Sequence, residues 1–326
     1  MNTIFLEKCE DTIQRLPESS VDLVLTSPPY FGCRVYGNET LGREEHPATF
    51  VENIVEIMDS TQRILKDTGS LYLNMGDVYF GTKGFSRNAG KYKRKTDHHY
   101  KDHKITKPDK KWIQHKQLLM IPPRVAMGMQ ERGWILRNSI IWEKSNPLPA
   151  FSKDRRLPCY EYVFHFVKGK AMRADRGTKY YFDYPLAKVL EHHRDVVKTC
   201  VKPFRGHPAS FSEDLISPFI ETTCPIGGLV YDPFMGSGTT ACVSKKLGRR
   251  YAGSEINEDY QKLSIENITE TPSFYRRLSE WATTTENPVT LTTVESALST
   301  PTFNVSENQQ EFNNLLNENL QGLKKF

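Results

Sequence analysis

The sequence predicts an α/β domain built on a mostly parallel sheet, and three observations carry that expectation. Apolar strand-like runs alternate with helical ones along most of the chain. Two motif-bearing segments, Thr26-Ser27-Pro28-Pro29-Tyr30 and Asp232-Pro233-Phe234-Met235-Gly236-Ser237-Gly238-Thr239-Thr240, each follow an apolar run directly. They therefore stand where a parallel strand ends and its residues reach a ligand. Tyr251-Ala252-Gly253-Ser254-Glu255 then reads as a further strand, ending in a carboxylate roughly 20 residues beyond the glycine turn.

The expected strands are Val21–Thr26, Ser70–Gly76, Leu136–Trp142, Tyr160–Val167, Leu229–Phe234 and Tyr251–Ile256. Helical periodicity runs through Phe50–Leu65, where Val51, Ile54, Val55, Met58 and Leu65 share a face. Pro122-Pro123 opens a helix that Gly133 closes. A helix over Thr239–Leu247 ends at Gly248, and Asn257 caps another reaching about Ile268. Ahead of these, the helix drawn after Ser212 meets Pro218, which is expected to interrupt it.

Two regions break the alternation. Gly81–Lys116 is too long for an ordinary connection and holds twelve Lys/Arg against three Asp. Residues 271–326 shift to Thr, Asn, Ser and Glu and read as a polar appendage, with a weak amphipathic stretch over Phe312–Leu323. The bounds that follow are a domain over 1–270, a basic insertion over 81–117 and a second basic segment over 168–206.

The chain of 326 residues carries a formal charge of +5, and no apolar run approaches the roughly 18 residues of a membrane span. Its N-terminus, with Glu7, Glu10 and Asp11, lacks the basic start of a secretory signal. Six cysteines are scattered without a C-x-x-C pair, so neither a disulfide framework nor a zinc site is expected, and a reducing cytoplasm fits. His98, His99 and His103 lack zinc-ligand spacing, and no metal is expected. Pro158-Cys159 precedes a strand instead of following one, which argues for a structural cysteine.

Gly236 and Gly238 let the backbone turn sharply and approach a ligand closely. A phosphate loop would place Lys after the last glycine, where Thr239 stands, and a dinucleotide fingerprint would need a third glycine, which Thr240-Ala241 does not supply. An adenosine without phosphates fits both the glycine turn and Glu255, whose carboxylate stands where ribose hydroxyls are accepted; a glycine turn with no ligand is the bland alternative.

Asp232–Thr240 together with Ser27-Pro28-Pro29-Tyr30 resembles the S-adenosylmethionine-dependent DNA amino-methyltransferases, in the beta-type order with the catalytic motif first. Further stretches resembling that family follow in order, including Asn74–Tyr79, Ile141–Lys144 and Glu161–Lys168, so the likeness runs from about Ile4 to Ile268. The resemblance implies a Rossmann-like fold of the class I methyltransferase type with inserted DNA-recognition segments. It implies a cofactor site lined by Asp232, Pro233, Phe234, Gly236, Ser237, Gly238, Thr239, Thr240 and Glu255, with His207–Phe211 near the methionine moiety. Relatives often carry Gly-Asp before the catalytic strand; Glu7-Lys8 stands there, so Glu7 or Glu10 takes the adenine contact if any residue does.

The implied reaction needs no covalent intermediate. An exocyclic amino nitrogen is a poor nucleophile, and acceptors aimed at its hydrogens stabilise the charge that develops on it. The Ser27 hydroxyl and the Pro28 carbonyl are those acceptors, Pro28 and Pro29 fix φ, and Tyr30 offers a face for an extruded base. Ser at the first position resembles the cytosine-N4 enzymes, Asp being typical of adenine-N6 ones. The expected function is therefore methylation of cytosine N4 in double-stranded DNA, beside a cognate restriction endonuclease. Adenine N6 remains open, as does an inactive cofactor-binding DNA regulator.

Lys91, Lys93, Arg94 and Lys95, with Phe85, Tyr92, Tyr100 and Trp112 interleaved, have the composition of a phosphate-contacting element. Arg173 and Arg176 mark the second candidate. Neutralising the four residues of the first group should weaken cognate and non-cognate DNA binding alike. The slope of log affinity against log salt should become shallower by about 0.9 for each phosphate that the variant no longer neutralises. A titration series across salt concentrations checks this; a collapse of specificity with an unchanged slope would mean that the segment reads bases.

Overall fold

The computed structural model describes residues 1–32, 41–80, 112–147, 149, 152–169, 179–190, 192–201 and 211–274. Among them, eight strands form one sheet in the order β1-β8-β7-β2-β3-β5-β4-β6. The strands are β1 (Asn2–Leu6), β2 (Val21–Thr26), β3 (Leu65–Met75), β4 (Trp134–Lys144), β5 (Tyr160–Lys168), β6 (Val196–Thr199), β7 (Leu229–Asp232) and β8 (Arg250–Glu255). Only β5 of these runs against its neighbours, pairing antiparallel with β3 and β4. The helices are α1 (Cys9–Arg15), α2 (Pro47–Ser60), α3 (Ile121–Glu131), α4 (Tyr184–Val189), α5 (Glu213–Thr223), α6 (Thr239–Lys246) and α7 (Glu258–Glu270).

Period-two burial sorts the strands between two helical layers. Val24, Leu71, Leu73, Phe164 and Tyr231 face a core completed by α1, α2 and α3. Leu23, Leu25, Tyr72, Val163 and Val230 point the other way, onto α5 and Val243 of α6. All six residues of β2 are buried, as a central strand covered on both faces requires.

The central pair β2–β7 is the point where the order reverses. From β7 the chain builds outward through β8, with β1 beyond it; from β2 it builds through β3 toward the other edge. The start of this pair is tied by Asp22, a buried carboxylate that accepts from Leu229 N at 2.8 Å and from Lys66 Nζ at 2.6 Å.

Several expectations change in detail. The sequence predicts one strand over Leu229–Phe234, but pairing stops at Asp232 because its carboxylate accepts from Phe234 N and turns the chain. α2 begins earlier than Phe50, at Pro47, whose missing N–H is harmless in a first turn, with His46 Nδ1 accepting from Ala48 N. Pro218 does not interrupt its helix. α5 runs through it because Leu215, Ile216, Phe219 and Ile220 are all buried, and that packing outweighs the lost hydrogen bond. β1, α1, α4 and β6 carry too little pattern to be expected from sequence; β6 adds four residues of the 168–206 segment to the sheet edge beside β4.

At the far end of the basic insertion, Ile113 is fully buried and Trp112 packs on the core, under the Arg124 guanidinium at 3.9 Å. Lys91, Lys93, Arg94, Lys95, Arg173, Arg176, His98, His99, His103 and residues 207–210 lie outside the described residues. The chain divides into compact units Met1–Thr271 and Pro272–Phe326, and the expected tail helix also lies outside the described residues. No described helix is long and apolar enough to cross a membrane.

Asp22→Ala should destabilise the fold by about 1–3 kcal/mol, because it strands the buried Leu229 N–H. Urea denaturation checks this; unchanged stability would mean that water or another acceptor takes over.

Candidate active site

The two motif segments meet where β2 and β7 end side by side. Thr26, the last residue of β2, donates from Oγ1 to Asp232 Oδ1 at 2.6 Å. Thr240 Oγ1, in the first turn of α6, donates to Asp232 Oδ2 at 2.6 Å, and Phe234 N donates to Oδ1 at 3.0 Å. One buried carboxylate thus joins the strand before Ser27, the turn after β7 and the start of α6.

The glycine turn needs its glycines. Gly236 sits at φ +54° and Gly238 at φ +88°, and a Cβ on Gly238 would come within 2.9 Å of Ser264 Cβ on α7. Gly236 N donates to Glu255 Oε2 at 2.8 Å, and Asn257 N donates to Oε1 at 2.8 Å, so the carboxylate ending β8 closes over the turn. Burial raises the Glu255 carboxyl above its ordinary range. The Ser237 and Thr239 hydroxyls are buried and find no partner among the described residues. Pro233 is buried and Phe234 half-buried beside them.

On the other side of the junction, Pro28 is buried while Ser27, Pro29 and Tyr30 are partly exposed. Ser27 Oγ donates weakly to the Tyr30 oxygen at 3.4 Å, and Tyr30 donates to Glu161 Oε2 at 2.7 Å. Asn74 Nδ2 donates to the same Glu161 oxygen at 3.2 Å, and Lys144 pairs with the other.

The structure therefore brings together Ser27–Tyr30, Asp232–Thr240 and Glu255, in agreement with the sequence reading. Glu7 is engaged elsewhere, accepting from Thr12 Oγ1 and Arg15 Nη2, both at 2.7 Å. Thr26, Asn74, Lys144 and Glu161 join the site without having been expected there. Their signal is present, since Lys144 and Glu161 are charges at the ends of otherwise apolar strands, but their spacing in sequence gives no hint of the meeting.

Burial pushes the Asp232 carboxyl up to about 6, against the lowering effect of its Thr240, Thr26 and Phe234 donors. A carboxyl that binds its proton more tightly when folded contributes stability in full below its unfolded value and loses it as pH rises through the folded one. Stability of the wild type relative to Asp232→Asn should therefore fall between about pH 4 and 7, by up to about 3 kcal/mol. Urea denaturation across that range checks it; a constant difference would show that Asp232 does not titrate there.

A model of the family described as DNA methylase, covering N6 and N4 enzymes, matches residues 21–266. The type II methyltransferase M.Cfr9I of Citrobacter freundii is 33% identical over 276 residues, covering 82% of this chain and 87% of that protein. M.SmaI of Serratia marcescens is 34% identical over 277 residues, covering 81% of this chain and 90% of that one. Among solved structures, the PvuII DNA methyltransferase (cytosine-N4-specific) aligns with a TM-score of 0.62 at 19% identity, over 82% of this chain and 86% of that one. A DNA modification methylase of Thermus thermophilus, solved with S-adenosyl-L-methionine, aligns at 0.57 and 19% identity, over 83% and 96%. With the match spanning both strand ends and the glycine turn between β7 and α6, this chain belongs to the N6/N4 DNA methylase family.

Proposed function

We propose that the chain transfers a methyl group from S-adenosylmethionine to cytosine N4 in double-stranded DNA, as the modification partner of a restriction endonuclease. The observation that carries this reading is the Thr26–Asp232 hydrogen bond, which sets Ser27-Pro28-Pro29-Tyr30 beside the glycine turn. The residues at the turn suit the cofactor: open backbone at Gly236, two buried hydroxyls with unused hydrogen-bonding capacity, and a carboxylate at the ribose position. Asp232, Pro233, Phe234, Gly236, Ser237, Gly238, Thr239, Thr240 and Glu255 would hold it. When bound, it supplies an electrophilic methyl on a sulfonium.

The chain's own residues do the rest. With its proton turned to Tyr30, Ser27 Oγ keeps lone pairs for the amino hydrogens of the base, beside the Pro28 carbonyl. Tyr30 gives the extruded base a surface to stack on. Ser27 favours cytosine N4, and the name of the PvuII neighbour supports it; adenine N6 is the second reading, since the same acceptors serve an adenine amino group. The type II relatives support a place beside an endonuclease. Residues 1–270 form the catalytic domain in this reading, with DNA read from the basic segments.

Digesting DNA methylated by the enzyme to nucleosides and weighing them should reveal N4-methylcytosine; N6-methyladenine would transfer the reading to adenine. Ser27→Ala and Tyr30→Ala should largely abolish transfer with cofactor affinity near normal, as should a target base without its amino group. Glu255→Ala should instead weaken cofactor binding by about 1–3 kcal/mol in calorimetry. Full turnover in both motif variants would move the active site elsewhere.

A further inference from the structure

Glu161 is an unexpected residue to find at the catalytic segment. It lies at the start of β5, and because β5 runs against its neighbours its first residues, not its last, stand at the carboxyl edge of β3 and β4. Its side chain is 12% exposed, and that of its Lys144 partner 22%. Burying a carboxylate this far is costly without partners. It has three: Lys144 on one oxygen, and Asn74 Nδ2 and the Tyr30 hydroxyl on the other. Asn74 is itself fixed, donating to Tyr162 O at 3.0 Å.

Gly76 supplies an independent sign that this packing is built around Tyr30. A Cβ there would lie 2.7 Å from Tyr30 Cε2 and 3.2 Å from Glu161 Oε1. Glycine thus leaves room for the ring edge and the carboxylate together. The ring is held at its hydroxyl by Glu161 and along its edge by the Gly76 backbone.

We propose that Glu161, held by Lys144 and Asn74, is a positioning residue that fixes the plane of Tyr30 and turns the Ser27 hydroxyl. The proposal rests on the methyl-transfer reading of Ser27–Tyr30 and deepens it. A carboxylate only accepts, so the Tyr30 proton must point to Glu161. The Tyr30 oxygen then faces Ser27 as an acceptor, and the Ser27 lone pairs are left to the target amino group. Glu161 touches neither the base nor the methyl donor in this scheme. It works through the two residues that do, by holding their geometry before the base arrives.

The test is a double-mutant cycle on the full-length enzyme, read by single-turnover methyl transfer to DNA together with cofactor and DNA affinities. Glu161→Ala should slow transfer by about 10- to 100-fold, the scale of misplaced reacting groups. Cofactor and DNA affinities should stay at the wild-type level. In a Tyr30→Phe background, which has no hydroxyl for Glu161 to hold, adding Glu161→Ala should cost little more. Glu161→Gln, of the same shape and with an oxygen that can still accept from Tyr30, should recover part of the rate; it also carries the cycle if the alanine variant does not fold.

An active wild type with Glu161 variants equally fast overturns this inference alone, as does a loss of equal size in both Tyr30 backgrounds. A wild type that transfers no methyl to DNA overturns the functional reading and the inference together.

Discussion

The site depends on one buried carboxylate at the seam between two strands. Asp232 could have been satisfied within its own turn, since Phe234 N and Thr240 Oγ1 both reach it. Its bond from Thr26 adds a constraint of a different kind, because Thr26 lies 206 residues away and immediately precedes Ser27. A donor that short in reach cannot move without leaving the carboxylate under-satisfied in a dry interior. The glycine turn and the Ser-Pro-Pro-Tyr segment are therefore set relative to each other by hydrogen-bond geometry rather than by loop length. Asp22 ties the opposite end of the same strand pair through Leu229 N. Between the two carboxylates, the register of β2 against β7 has little freedom to slip.

Around this seam the two halves use opposite devices. The glycine side achieves close approach by removing side chains, with Gly238 against α7 and Gly253 beneath Met235. The Ser27–Tyr30 side relies on rigid residues and on charge, with two prolines and a phenol anchored to an ion pair. The contrast follows from the tasks the family assigns to them. A backbone must come near the cofactor, whereas a base brought from outside needs acceptors already aimed.

The reversed strand accounts for the anchoring pair. In an all-parallel sheet the residues at the functional edge come from strand ends, and the loops after them carry the chemistry. β5 brings a strand beginning to that edge, and its first residues are followed at once by paired backbone. Glu161 is thus placed by the sheet itself, opposite Trp142 of β4 and one residue before the Tyr162–Met75 pair. A side chain on a paired strand is a firmer support than one on a loop.

Much of the fold and of the site was legible in the sequence, because its signals are local. Apolar runs of strand length, a three- to four-residue helical stripe in α2, and glycines at positive φ in 236 and 238 each follow from the near neighbours of a residue. The same holds for Ser27-Pro28-Pro29-Tyr30 and Asp232–Thr240, whose contents announce acceptors and a ligand turn. Short elements escaped, since β6 has four residues and α4 six, too few for a period to show. Pro218 misleads because helix propensity is local while the packing of Leu215, Phe219 and Ile220 is not. Only the tertiary structure decided that Thr26 donates to Asp232, that Ile113 ends a basic insertion inside the core, and that Glu161 with Lys144 holds Tyr30. Each of those contacts joins residues on different strands or segments, and their partners are chosen by strand order and direction, which no stretch of sequence states by itself.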